Sequence, residues 1–186
     1  QAHARHAMWL FNGMLIAALG LLLWRAAGFA WAAGTLGFIA LEPTLGAHLP
    51  VAMTDGPLAL TLAPAIVAAG MMAAAWRWPW VIATGVFAGL ALSTKHSALA
   101  GLLGVVIVLS AGIWAGLLKG GMKEGAARQG KLIVAVALAL ALLWAHYGFR
   151  FHADADGSDR FNLPMETKIE EVSTPALQAM IQFADT

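Results

Sequence analysis

Five side chains could carry chemistry in an otherwise apolar chain: Asp55, Lys95, His48, His96 and Arg150. Asp55 closes the stretch from Glu42 to Asp55 and is followed by Gly56 and Pro57. A carboxylate there can act on a hydroxyl, hold a divalent ion, or cap the helix that Pro57 helps to start. An ionisable group costs roughly 2.5–3.5 kcal/mol at the centre of a membrane helix and less near the surface, so it usually has a partner or a task. Lys95 and His96 sit in Ser93-Thr94-Lys95-His96-Ser97. A point cation flanked by hydroxyls suits a phosphate; the alternative is a lysine whose stem snorkels to the headgroups. His48, seven residues before Asp55, is either a polar wall of the same site or an interfacial histidine bonded to a loop carbonyl.

Other candidates are weaker. Asp154, Asp156 and Asp159 open like a calcium loop, but the closing Glu at position 12 is replaced by Met165, so a solvated turn is expected. His3 and His6 could share a helical turn but lack a third metal ligand. No phosphate loop, dinucleotide fingerprint, zincin motif or nucleophile elbow occurs, which argues against a nucleotide-driven reaction. There is no basic stripe for nucleic acid.

The elements that must position these residues are membrane helices. Of 186 residues 60% are hydrophobic and 11% charged, with mean hydropathy +0.75; soluble domains carry about 25% charged residues. The chain lacks cysteine, which excludes disulfide and thiolate chemistry. It begins at Gln1 without a signal-peptide pattern and reads as an internal piece of a longer protein. A span needs about 20 apolar residues. Six are expected, at 7–24, 28–41, 57–76 with a kink at Pro64, 79–92, 98–118 and 132–147. The fold class is therefore all-α, a polytopic transmembrane bundle over 1–148 followed by an extramembrane segment, 149–186. In that segment Thr174–Phe183 is expected to form a short amphipathic helix.

Alternation of the spans sorts the charges. Arg25, Arg77, Lys119, Lys123, Arg128 and Lys131 share one side with Glu124, and the other side holds five cations and nine acids. The short basic loop 119–131 marks its side as cytoplasmic. Asp55, Lys95 and Arg150 then share the outward face. Trp78 and Trp80 suit the cytoplasmic aromatic belt, and Trp144 and Tyr147 the outer one. Gly85 and Gly89 form a GxxxG pair that permits close packing.

Three segments, in order, resemble a known family. Glu42-Pro43-Thr44-Leu45-Gly46-Ala47-His48, with Thr54-Asp55 after it, is similar to the outward loop of bacterial membrane glycosyltransferases related to the protein O-mannosyltransferases. Gly85 to Leu99, through Ser93-Thr94-Lys95-His96-Ser97, resembles a later helix of that family. Tyr147-Gly148-Phe149-Arg150-Phe151 resembles the exit from the next. Thr44 and Met53 depart from the family pattern, and its acidic pair in the first outward loop has no counterpart before residue 42. The resemblance implies a partial GT-C fold and a polyprenyl-phosphate-linked sugar donor. It implies inverting transfer to an acceptor hydroxyl at the outer face of a bacterial inner membrane. Asp55 would be the second acidic residue, and Lys95 would face the donor phosphate. His48, His96 and Arg150 would line the cavity. The base would lie upstream of Gln1, and a divalent metal ion is left open. Two rivals remain. A transporter would place polar groups at the midplane; a non-catalytic membrane scaffold would lack the acidic pair altogether.

Overall fold

The computed structural model describes residues 2–51 and 53–149. Contacts divide the chain into the units Gln1–His146 and Tyr147–Thr186. Of the second unit only residues 147–149 are described, so Arg150, the aspartates at 154, 156 and 159, and the expected helix at 174–183 lie outside the described residues.

The described residues of the first unit are helical apart from short connections, and the described residues contain no strand. Its elements are α1 (Ala2–Ala27), α2 (Phe29–Leu41), α3 (Pro43–His48), α4 (Asp55–Ala75), α5 (Trp78–Thr94) and α6 (Ala98–His146). Among the described residues three helices, α1, α4 and α6, are long and apolar enough to cross a membrane; α2 and α5 are shorter apolar helices. Large apolar side chains point outward: Phe29, Trp31, Leu118 and Met122 are all more than two-thirds exposed. The interior is instead rich in small residues: Ala65, Ala68, Ala91 and Ala98 are fully covered, and Ala69 and Ala135 pack with Met72, Val81 and Leu109 in the core cluster. This distribution suits lipid, where close backbone approach replaces hydrophobic exclusion as the source of packing energy.

A straight helix of 49 residues would run about 73 Å, more than twice the hydrocarbon thickness of about 30 Å. α6 avoids this by turning back at Gly121, whose φ of 72° and ψ of −172° are non-helical. Arg128 bonds the carbonyl of Gly112, and a Cβ on Gly116 would meet Arg128 while one on Gly125 would meet Leu117. The arms 98–120 and 122–146 are therefore antiparallel. The basic segment 119–131 is not a loop: the reversal takes one glycine, and Lys123, Arg128 and Lys131 lie on helix. The stretch from Glu42 to Asp55 is not all loop either. Glu42 caps α3 by accepting the Leu45 N–H at 2.6 Å, and Pro43 occupies the first turn, so Glu-Pro starts a helix where the chain read as irregular.

The remaining contacts set the directions. Gly85 opposes Ala135 and Leu138, and Gly89 opposes Ala139 and Leu142, so α5 and the second arm run parallel. Leu62 meets Gly101 and Trp76 meets Gly112, so α4 parallels the first arm. α4 continues through Pro64. Its buried Thr61 hydroxyl bonds the Pro57 carbonyl one turn earlier, at 2.8 Å. The GxxxG pair is a true close approach: a Cβ on Gly85 would come within 2.7 Å of the Ala135 carbonyl oxygen.

One end of the bundle is tied by cations. Trp76, in a left-handed conformation at φ 48°, ends α4. Lys131 donates to its carbonyl at 2.6 Å and lies 5.8 Å from the Trp78 ring centre. Arg128 lies over the Trp76 ring at 5.5 Å while bonding Glu124 at 2.8 Å. Two cations that count towards a basic loop in the sequence thus fasten α4, α5 and both arms of α6 together.

Candidate functional site

At the opposite end, the start of α4 meets the end of α5. Lys95 follows the last turn of α5 in an extended conformation, φ −161° and ψ 136°. A turn over His96 and Ser97 leads into α6. The expected five-residue polar turn is shorter, because Ser93 and Thr94 remain helical. Their hydroxyls bond the carbonyls of Gly89 and Leu90, each at 2.8 Å, the usual way a helix absorbs Ser and Thr. Lys95 closes α5, its N–H bonding the Ala91 carbonyl, and its side chain reaches Asp55.

The Lys95 ammonium lies 2.7 Å from the Asp55 carboxylate. Asp55 is the first residue of α4, and Thr54 holds the N-cap position without a side-chain capping bond. Of the alternatives for this carboxylate, capping is not the one seen: it pairs with a cation at the end of the neighbouring helix. Both side chains are exposed, 45% for Lys95 and 68% for Asp55. Such a pair is worth roughly 0.2–1 kcal/mol.

Among the described residues, neither His48 nor His96 joins this pair. His48 lies at the end of α3, with Nδ1 2.7 Å from the Thr44 carbonyl, the interfacial arrangement weighed against a site role. Glu42 on the same short helix has its pKa lowered, first by the Leu45 N–H bonded to its carboxylate, then by Thr44 and the nearby His48. His96 is exposed in the turn after Lys95. Arg150 lies outside the described residues. Among the described residues no group of three or more His, Asp or Glu could hold a metal ion.

Two further residues emerge from the tertiary structure. His146, in the last turn of α6, lines a pocket of about 280 Å³ with Thr54, Ser93 and Thr94, next in sequence to the ion pair. The signal for it in the sequence is its place at the end of a sixth span, which alternation puts at the same end as Asp55. Asn12 of α1 is buried and donates to the Leu49 carbonyl at 2.8 Å, tying the chain between α3 and α4 to the bundle. One polar residue inside an apolar helix is its only signal.

Comparison of the chain with known protein families, with curated proteins and with solved structures finds no match in any of the three.

Proposed function

We propose that this chain is part of a membrane glycosyltransferase. It moves a sugar from a polyprenyl-phosphate-linked donor to an acceptor hydroxyl at the outer face of a bacterial inner membrane. The observation that carries the reading is the exposed Lys95–Asp55 pair at 2.7 Å, beside a pocket at one end of an apolar bundle. A weak, solvent-reachable pair is exchangeable. A dianionic or monoanionic phosphate can draw Lys95 away, and Asp55 is then released for the sugar or the acceptor. In this mechanism Lys95 meets the charge that develops on the leaving phosphate, and preorganised charge of this kind is commonly the largest catalytic contribution. The acceptor hydroxyl oxygen bonds the anomeric carbon as the bond to the phosphate oxygen breaks; its proton passes to a carboxylate base of the full-length protein, and the electron pair of the broken bond leaves with the polyprenyl phosphate. The sequence resemblance supplies the reaction class.

A second reading has its own support. Asp55 stands at a helix N-terminus and Lys95 at a C-terminus, where the helix dipole favours each charge. The pair can therefore be a scaffold bracket between α4 and α5. Sugar transfer by the membrane-reconstituted full-length protein separates the two. Under the enzyme reading Asp55→Asn and Lys95→Ala each cut transfer strongly and leave expression and thermal stability near wild type. Wild-type transfer with lowered stability assigns the pair to the bracket.

A further inference from the structure

We propose that the pocket beside the ion pair binds a neutral polyhydroxyl group, such as a sugar ring, through hydrogen bonds that the ligand donates. The inference rests on reading this end of the bundle as a substrate site, but not on transfer itself. It follows from which lone pairs and hydrogens the lining has left.

The hydroxyl hydrogens of Ser93 and Thr94 are committed to the carbonyls of Gly89 and Leu90. Each oxygen is left with lone pairs only. The Nδ1 of His146 lies 2.8 Å from the carbonyl oxygen of Leu142. A carbonyl can only accept, so Nδ1 carries the hydrogen, and in the neutral ring Nε2 is an acceptor. Thr54 is the one polar lining residue whose hydroxyl can serve either way. The lining contains no Lys, Arg, Asp or Glu. An anion entering it would face three acceptors; a group bearing several O–H donors would satisfy them. The remaining wall includes Phe11, Met8 and Leu90, an apolar surface suited to the C–H face of a ring. At about 280 Å³ the pocket falls just below the usual range of ligand sites, which starts near 300 Å³, and suits one ring rather than a chain. Phosphate recognition then belongs to Lys95, outside the pocket, and hydroxyl recognition to the lining. The two halves of a phosphate-linked sugar would be read by different residues.

The test measures binding to the full-length protein in lipid nanodiscs, with an alkyl glucoside, an alkyl phosphate of equal chain length, and free glucose as probes. Combined Ser93→Ala and Thr94→Val, and separately His146→Phe, should each weaken alkyl glucoside binding tenfold or more and leave alkyl phosphate binding unchanged. Lys95→Ala should do the reverse. Thr94→Ser, which keeps the oxygen, should retain glucoside binding and controls for misfolding. Competition by free glucose would assign the ring to a soluble acceptor, and its absence to a lipid-borne sugar; either supports the shared chemistry. Glucoside affinity that is indifferent to the lining variants, or glucoside and phosphate affinities that fall together, overturns the proposal. Glucoside binding without sugar transfer would keep the pocket and remove the transferase reading.

Discussion

The Lys95 ammonium and the Asp55 carboxylate, forty positions apart in sequence, meet at 2.7 Å where α5 ends and α4 begins. Neither residue is buried. Their pairing depends on α4 and α5 being antiparallel neighbours and on Lys95 leaving the helix in an extended conformation. Removing the pair should therefore change local chemistry much more than global stability. Asp55→Asn and Lys95→Ala should each shift the unfolding free energy by less than about 1 kcal/mol, measured by thermal or denaturant unfolding in detergent. A loss of several kcal/mol would show that the pair holds the bundle together.

Gly85 and Gly89 allow α5 to touch the second arm of α6 backbone to backbone. Alanine at Gly85 would place its methyl within 2.7 Å of the Ala135 carbonyl oxygen, and at Gly89 within 2.8 Å of that of Ala139. Both obstacles are backbone and cannot rotate away. Gly85→Ala and Gly89→Ala should each cost about 1–3 kcal/mol. Gly104→Ala, where a Cβ meets nothing within 4 Å, is the control that should be neutral. Equal tolerance at all three positions would contradict the helix pairing.

The reversal at Gly121 uses a φ of 72° with ψ of −172°, a region open essentially to glycine. Gly121→Ala should cost about 1–3 kcal/mol in strain. Cysteines placed at Leu117 and Gly125, whose positions face each other across the turn, should crosslink in the wild-type background and crosslink less after Gly121→Ala. Failure to crosslink in either background would mean that the arms do not fold back.

Arg128 serves Glu124, the Gly112 carbonyl and the Trp76 ring together. Lysine keeps the charge but not the planar fork. Arg128→Lys should therefore destabilise nearly as much as Arg128→Ala, by about 2–3 kcal/mol. Retention of wild-type stability by the lysine variant would reduce the contact to simple charge.

Glu42 gives a pH signature. Its carboxylate pKa is lowered, chiefly by the Leu45 N–H, so the folded α3 favours the ionised form. That contribution is fully present above the unfolded glutamate pKa of about 4.3 and is lost as pH falls through the lower folded value. The Leu45 amide chemical shift should titrate with a midpoint below about 4.3, and Glu42→Gln should abolish that step. A midpoint at or above the ordinary glutamate value would remove the capping bond.

The all-helical class and the positions of the apolar segments were legible in the sequence, because hydropathy over a window of about 20 residues is a local property. The span ends at 41, 76 and 98 fall within two residues of the observed helix boundaries. The segment 119–131 misled because its glycines and charges look like a loop. Its helix forms because Arg128 and Lys131 find acceptors on Gly112 and Trp76, partners that no local window contains. The short helix after Glu42 was visible only as Glu-Pro, a signal that is weak without the Leu45 bond.

By itself, then, the sequence determined that this protein is a bundle of apolar helices, and that Asp55 and Lys95 fall at the same end of it. Alternation of spans suffices for that. Only the tertiary structure decided that the two residues touch, that His48 turns to its own helix, and that His146 and two committed hydroxyls share a pocket beside them. The physical reason is reach. Which side a charge falls on depends on counting crossings, whereas which groups meet depends on helix pairing, on the glycine contacts that set it, and on where each helix stops.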